Sequence, residues 1–364
     1  MKKVNDLRTH SVKDIVTFTI ILLAINLFSL IGAEVYLRYR FFGISGFDLH
    51  KVFPQSKLQE ISYSDDGLAR FKPNQTGFLY GKPFKTNSFG LWDEKDYALR
   101  KDMGTLRIAC FGESFTMGAG VSQNDNYPKI LERELNTYLQ HHSENQIQQV
   151  EVMNCAMPGD DLDGYLLKRI RLINHFFAPD IIIIGMTSNF FPSKQTNPLH
   201  FLFDQSQKKP THNPLRQIQA NLLIHAAFNN YENYVMQYIA RWKPTKFISF
   251  LSKDARFSSK KTDTYSFLIH EAVENKTPKV IIALIRKLFY IDDVTYHRDL
   301  QENLSLSCAK YNFSFANTYE PSYWIRKNTG DLIIYPGNEH PNRVAHKIYA
   351  DIIFFNILDS IRAK

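Results

Sequence analysis

Apolar positions along this chain change rhythm twice, and each rhythm predicts a different kind of structure. From Ile15 to Ala33 no charged residue interrupts a run that would rise roughly 28 Å as a helix, close to the roughly 30 Å of bilayer hydrocarbon. The following stretch, to about residue 103, holds aromatics, Gly, Pro and Asn without a period, which predicts a connecting segment with short strands. From Leu106 the pattern turns regular. A mostly apolar run to Phe111, a Gly-rich turn, and Tyr127, Leu131, Leu135 and Tyr138 at helical spacing predict strand, turn and helix. A second strand, Val150 to Asn154, precedes a Pro158-Gly159 turn and a helix with Leu162, Leu166, Ile170, Ile173 and Phe177 on one face. The run Ile181-Ile182-Ile183-Ile184 is apolar on both faces, as a central parallel strand covered by helices must be.

The alternation pauses over about 192–262, where polar loops and an aromatic helical stretch, Leu222 to Trp242, predict an insertion or lid. It resumes with a strand at Val280 to Ile285, a helix near Tyr296 to Tyr311, a short strand around Phe313 to Ala316 and a last helix from Val344 to about Leu358. The expected architecture is α/β: a doubly wound, flavodoxin-like parallel sheet with helices on both faces, preceded by one transmembrane helix. The expected divisions are a tail at 1–14, an anchor at 15–35, the connecting segment at 36–103 and the α/β domain at 104–364.

Composition narrows the function classes. Apolar types make up 44% and charged types 22% of 364 residues, enough for an ordinary globular core. The net charge of +8 comes from scattered basic residues, with Lys208-Lys209 and Lys260-Lys261 the notable pairs in the middle of the chain, so no nucleic-acid partner is expected. Cys110, Cys155 and Cys308 are too few for a disulfide framework and predict buried thiols. The histidines are dispersed and no His-x-x-His or Cys-x-x-Cys spacing occurs, so neither a metal nor a cofactor is expected. Lys2, Lys3, Arg8 and Lys13 before the apolar run, against Arg38, Arg40 and Lys51 after it, favour a cytoplasmic N-terminus and an extracytoplasmic globular part, periplasmic in a bacterium. The flank Ile31-Gly32-Ala33 puts a bulky residue where a signal cleavage site wants a small one, which favours a retained anchor over a cleaved signal. Oligomeric state leaves no mark in the sequence.

In a doubly wound sheet ligands bind at the carboxyl ends of the strands, so chemistry is sought in the turns. The first reads Phe111-Gly112-Glu113-Ser114-Phe115-Thr116-Met117-Gly118-Ala119-Gly120-Val121. Ser114 is placed there as a nucleophile or, equally simply, as an N-cap or phosphate-binding turn residue. The second turn is Asn154-Cys155-Ala156-Met157-Pro158-Gly159, the third Gly185-Met186-Thr187-Ser188-Asn189-Phe190, and the last Pro336-Gly337-Asn338-Glu339-His340-Pro341-Asn342. Taken singly, the Pro-Gly, the Asn and the His are ordinary turn or surface residues.

Together these four turns resemble the blocks of the SGNH (GDSL-type) hydrolase superfamily, and Thr86-Asn87-Ser88-Phe89-Gly90 is similar to a segment that precedes the first block in anchored relatives. The resemblance spans roughly 86–358. It implies Ser114 as nucleophile, His340 as general base, and an oxyanion hole formed by Ser114, Gly159 and Asn189. Three departures stand out: Glu113 occupies the usual Asp place after the Gly, Phe190 replaces an Asp, and Asn338 stands where the triad acid is expected. An asparagine there can accept the imidazole Nδ1–H but brings no charge. His346, further along the last helix, is expected to pack or cap rather than catalyse. The implied activity is serine esterase or O-acyltransferase chemistry on an acylated small molecule, polysaccharide or lipid. A catalytically weak or inactive glycan-binding or envelope-assembly protein is the alternative that Asn338 and Phe190 motivate.

Overall fold

The computed structural model describes residues 2–48, 70–142, 146–158, 165–187, 259–273, 278–285, 294–322, 332–335 and 338–362. The chain begins with helix α1 (Lys2–Phe42), which runs into a short 3₁₀ turn at Gly43–Phe47. Lys13–Phe47, most of α1 and the turn that follows it, is the one helical stretch among the described residues long and apolar enough to cross a membrane. Phe18, Ile20, Leu23 and Phe28 are all more than half exposed on it, so these apolar side chains are uncovered by the described residues. A helix apolar all round and uncovered is stable in hydrocarbon, not in water.

The connecting segment contributes a hairpin, β1 (Thr76–Leu79) and β2 (Lys82–Lys85). The α/β part then supplies β3 (Thr105–Gly112), helix α2 (Ser114–Met117), α3 (Tyr127–His141), β4 (Gln149–Asn154), α4 (Tyr165–Phe177) and β5 (Ile181–Met186). Beyond residue 258 follow α5 (Ser259–Val273), β6 (Lys279–Leu284), α6 (Val294–Lys310) and β7 (Ser314–Asn317). The chain closes with a two-stranded antiparallel ribbon, β8 (Ile333–Tyr335) and β9 (Asn338–Pro341), and α7 (Arg343–Arg362). The insertion expected over 192–262 falls almost wholly outside the described residues, and its end overlaps α5, a helix the periodicity did not predict.

Five parallel strands lie in the order β4-β3-β5-β6-β7. Counted along the chain this is 2-1-3-4-5, the flavodoxin-like order the alternation predicted. Strand period 2 sorts the core into two layers. Ile108, Cys110, Ile181 and Ile183 face α3 and α7, meeting Leu131, Leu135, Tyr349 and Ile353. Ala109, Phe111, Ile182 and Ile184 face α4, α5 and α6, meeting Ile170, Ile173, Ile269 and Leu304. Each fully buried Ile contributes roughly 1.5–3 kcal/mol over an exposed one. The exception in β3 is Arg107, 1% exposed, whose guanidinium bonds Glu151 on β4 at 2.8 Å and the Phe177 carbonyl at 3.0 Å. A buried arginine survives only when paired in this way, and it ties the starting ends of β3 and β4 to α4. All three cysteines are buried free thiols, as expected. Burial pushes the Cys308 thiol up to about 12.

A third apolar cluster lies outside the sheet layers: Phe71, Leu79, Phe84 and Trp92 of the connecting segment pack on Met117, Ala119, Ala156 and Met157. The connecting segment therefore covers the carboxyl ends of β3 and β4, where the site residues emerge.

Candidate active site

β3 and β5 are neighbours, and β4 lies on the other side of β3, so the chain reverses its direction of winding at β3. A crevice opens at such a switch point, and Ser114 is two residues beyond the end of β3. The turn that presents it demands glycine at 112. Its φ is +152°, and a methyl there would lie 2.2 Å from Thr116 Oγ1 and 2.9 Å from the Gly185 carbonyl oxygen. Glu113 caps α2 with its backbone: the Thr116 and Met117 N–H groups donate to its carbonyl at 2.9 and 3.0 Å. Its side chain is 3% exposed and accepts from the Thr187 hydroxyl at the end of β5. The longer arm at this position thus serves as a tie to the third strand.

Other buried polar groups fasten the same turn. Asn154, at the end of β4, donates through Nδ2 to the Met117 carbonyl at 3.1 Å, and Asn126 donates to the same oxygen at 3.3 Å. The Met157 N–H donates to the Gly112 carbonyl at 3.0 Å, joining the second turn to the first. Asn126 also caps α3, accepting from the Lys129 N–H at 3.0 Å. Ser114 itself is only partly buried.

His340 arrives on β9, paired to β8 through Ile333↔Pro341 and Tyr335↔Asn338. The sequence predicted a turn here, and the ribbon is a refinement of it. The Asn342 N–H donates to the Leu332 carbonyl at 2.8 Å, and its side chain accepts from Val344 and Ala345 at 2.9 and 3.1 Å, so one residue closes the ribbon and caps α7. Ile334 of β8 lies against Gly120 of the first turn. These contacts bring His340 Nε2 to 2.9 Å from Ser114 Oγ, a hydrogen bond between residues 226 positions apart. The imidazole also packs against two rings, Phe115 at 5.2 Å and Tyr80 at 5.6 Å between centroids.

The chain is similar to solved lipolytic hydrolases and esterases. One is a member of the lipolytic G-D-S-L family from Veillonella parvula, at 15% identity over 71% of this chain and 98% of that one, TM-score 0.40. Another is a lipase/acylhydrolase from Enterococcus faecalis, at 16% identity over 71% and 98%, TM-score 0.40. A third is an acetylxylan esterase from Geobacillus stearothermophilus, at 12% identity over 69% and 94%, TM-score 0.37. No family model matches the chain. No curated protein matches it either.

Of the residues singled out in the sequence, Ser114 and His340 come together. Gly159 and Asn189, the expected oxyanion donors, lie outside the described residues, as does Phe190. The backbone of Asn338 and Glu339 lies in β9; their side chains are outside what is described. His346 is fully buried on α7, and its Nδ1 accepts the Tyr127 N–H, the first of α3, at 3.2 Å. Burial, and secondarily the charge of His340, push its pKa down to about 3, so it stays neutral at physiological pH. It fills a helix-end donor that would otherwise have no partner, which is the packing and capping role expected of it. Sequence reasoning missed Tyr80 and the Glu113–Thr187 bond. No local pattern marks either, since each partner is fixed by distant segments.

Proposed function

We propose that this chain is an SGNH-type serine ester hydrolase or O-acyltransferase, anchored by its N-terminal helix and acting outside the cytoplasm on an acyl ester of a polysaccharide or lipid. The observation that carries this reading is the 2.9 Å approach of His340 Nε2 to Ser114 Oγ at the switch point of the sheet. A serine hydroxyl is a weak nucleophile at neutral pH, and a neutral imidazole within hydrogen-bond reach takes its proton as Oγ attacks the carbonyl. The tetrahedral intermediate carries its charge on oxygen. The Ser114 and Gly159 N–H groups and the Asn189 amide are assigned to it by the resemblance, each such donor typically being worth about 10²–10³ in rate. His340 then returns the proton to the leaving alcohol, giving an acyl-serine that water or a sugar hydroxyl resolves. Glu113, bonded to Thr187, and neutral His346 are structural in this scheme.

Asn338 favours a second reading, a weak or inactive glycan-binding protein, because an amide cannot supply the charge that steadies the imidazolium. Treating the full-length chain in detergent with a fluorophosphonate separates the two. Ser114 is expected to be labelled, Ser114→Ala to lose labelling by more than about 10³-fold, and Asn338→Asp to label about tenfold faster. A folded natural protein that takes up no label would favour the binding reading. Release of acyl groups to water, compared with and without a sugar acceptor, then distinguishes hydrolysis from transfer.

A further inference from the structure

His340 is held partly by a segment from the far end of the chain. β1 and β2 are joined by a two-residue turn, Tyr80-Gly81, with φ of +48° and +74°. Both values are positive, as in a type I′ hairpin, where Asn or Gly is the relaxed choice at the first position. A tyrosine there is a sterically unfavourable occupant. What the position provides is direction: the Tyr80 ring lies 5.6 Å from the imidazole of His340, tilted 41° to it. The hairpin is firmly seated. Gln123 holds both backbone groups of Lys85, accepting at 2.7 Å and donating at 2.8 Å, and Phe84 stacks on Trp92 at 4.7 Å. Its tip meets α1, for a methyl on Gly81 would stand 2.8 Å from the Phe42 ring. Phe42 is the last residue of that helix. A line of contacts thus runs from the end of the anchor through the turn to His340 and Ser114.

We infer that Tyr80 is a positioning residue for His340, keeping the imidazole at Ser114 and offering its ring to the imidazolium, and that Phe42 braces the turn presenting it. An aromatic face attracts a cation within about 6 Å of its centroid, so the ring favours the charged imidazole that forms when the serine is deprotonated. That matters more at a site whose position 338 carries an amide instead of a carboxylate. Among the described residues, Ser114 and Phe115 of α2 also face His340, and neutral His346 of α7 lies within reach of its charge. Glu113 is engaged by Thr187, and Glu339 precedes His340 on its own strand. The inference takes its catalytic consequence from the esterase reading, and it makes the anchor a working part of the site.

The test follows His340 by NMR titration of histidine-labelled full-length protein in lipid nanodiscs, with fluorophosphonate labelling in parallel. Tyr80→Leu is expected to lower the His340 midpoint by about half a pH unit, since loss of the ring disfavours the charged form, and to slow labelling about threefold or more. Tyr80→Phe should keep both properties. Phe42→Ala should reproduce the change in weaker form, while Tyr39→Ala, exposed on the same helix, leaves both unaltered. An unmoved midpoint in Tyr80→Leu overturns the inference, and so does a Tyr80→Phe protein that behaves like Tyr80→Leu. An unchanged Phe42→Ala beside an altered Tyr80→Leu overturns the bracing role. Were the natural protein not to label while the midpoints moved as expected, the esterase reading would fail and the positioning role would stand.

Discussion

The two partners of the proposed reaction are held by different physics. Ser114 rises from a central strand whose flanking residues are fully buried, and its turn is fastened by Glu113, Asn126, Asn154 and Thr187, none more than 3% exposed. His340 rides on a ribbon of short strands at the rim, located by the Asn342 cap, by Ile334 against Gly120 and by the rings of Phe115 and Tyr80. Low-dielectric burial strengthens every hydrogen bond around the serine and makes each costly to lose. Ile333, Ile334 and His340 are only half-buried, and the ribbon that carries them is the kind of element that opens locally at lower free energy than a core strand. Precision on one side is built into the core; on the other it is assembled from separate segments.

Mutations at the two ends should therefore fail in different ways. Gly112→Ala strikes the rigid end, where the added methyl meets a side chain and a backbone oxygen at contact distances that cannot be tolerated. A loss of roughly 3 kcal/mol of global stability is expected, read as a fall in the midpoint of a urea melt with unchanged slope. If the melt is unaltered, the turn is more plastic than its geometry implies. His346 joins the two regions, because it sits on the helix that follows His340 and holds the helix that follows Ser114. Its folded pKa lies below the ordinary histidine value, so the unfolded chain binds more protons over the interval. The stability it contributes is complete above about pH 6.5 and is lost as pH falls toward 3, by up to about 1.4 kcal/mol per pH unit. His346→Gln should flatten that limb of the stability profile; an equally steep acid limb in the variant would place the titrating group elsewhere. Asn342→Ala, at the lighter end, removes a helix cap and should cost about 1 kcal/mol. Its distinguishing sign is faster amide exchange confined to the ribbon and the first turn of α7, with the β3 amides unaffected.

How much of this could be read from the chain differs from element to element. The β3 and β5 runs announced themselves because a parallel strand buried on both faces must be apolar throughout. α5 did not, because Thr262 and Ser266 occupy its buried face beside Tyr265 and Ile269 and interrupt the apolar spacing. Ser114 and His340 were legible as motif residues. The Glu113–Thr187 bond and the packing of Tyr80 on His340 were not, for their partners lie 74 positions apart in the first case and in separate structural units in the second.

By itself, then, the sequence determined the five sheet strands and most of the helices between them, the charge-free run that suits a bilayer, and the residue types from which a nucleophile and a base could be drawn. These follow from local rules: period, turn chemistry and the energetics of burying apolar side chains. Only the tertiary structure decided that Ser114 and His340 meet, that His346 is a buried cap, and that the end of the N-terminal helix reaches the turn packed on the His340 imidazole. Such contacts close loops of dozens to hundreds of residues, and their entropy cost is met by the whole core acting together rather than by any segment that could be recognised alone.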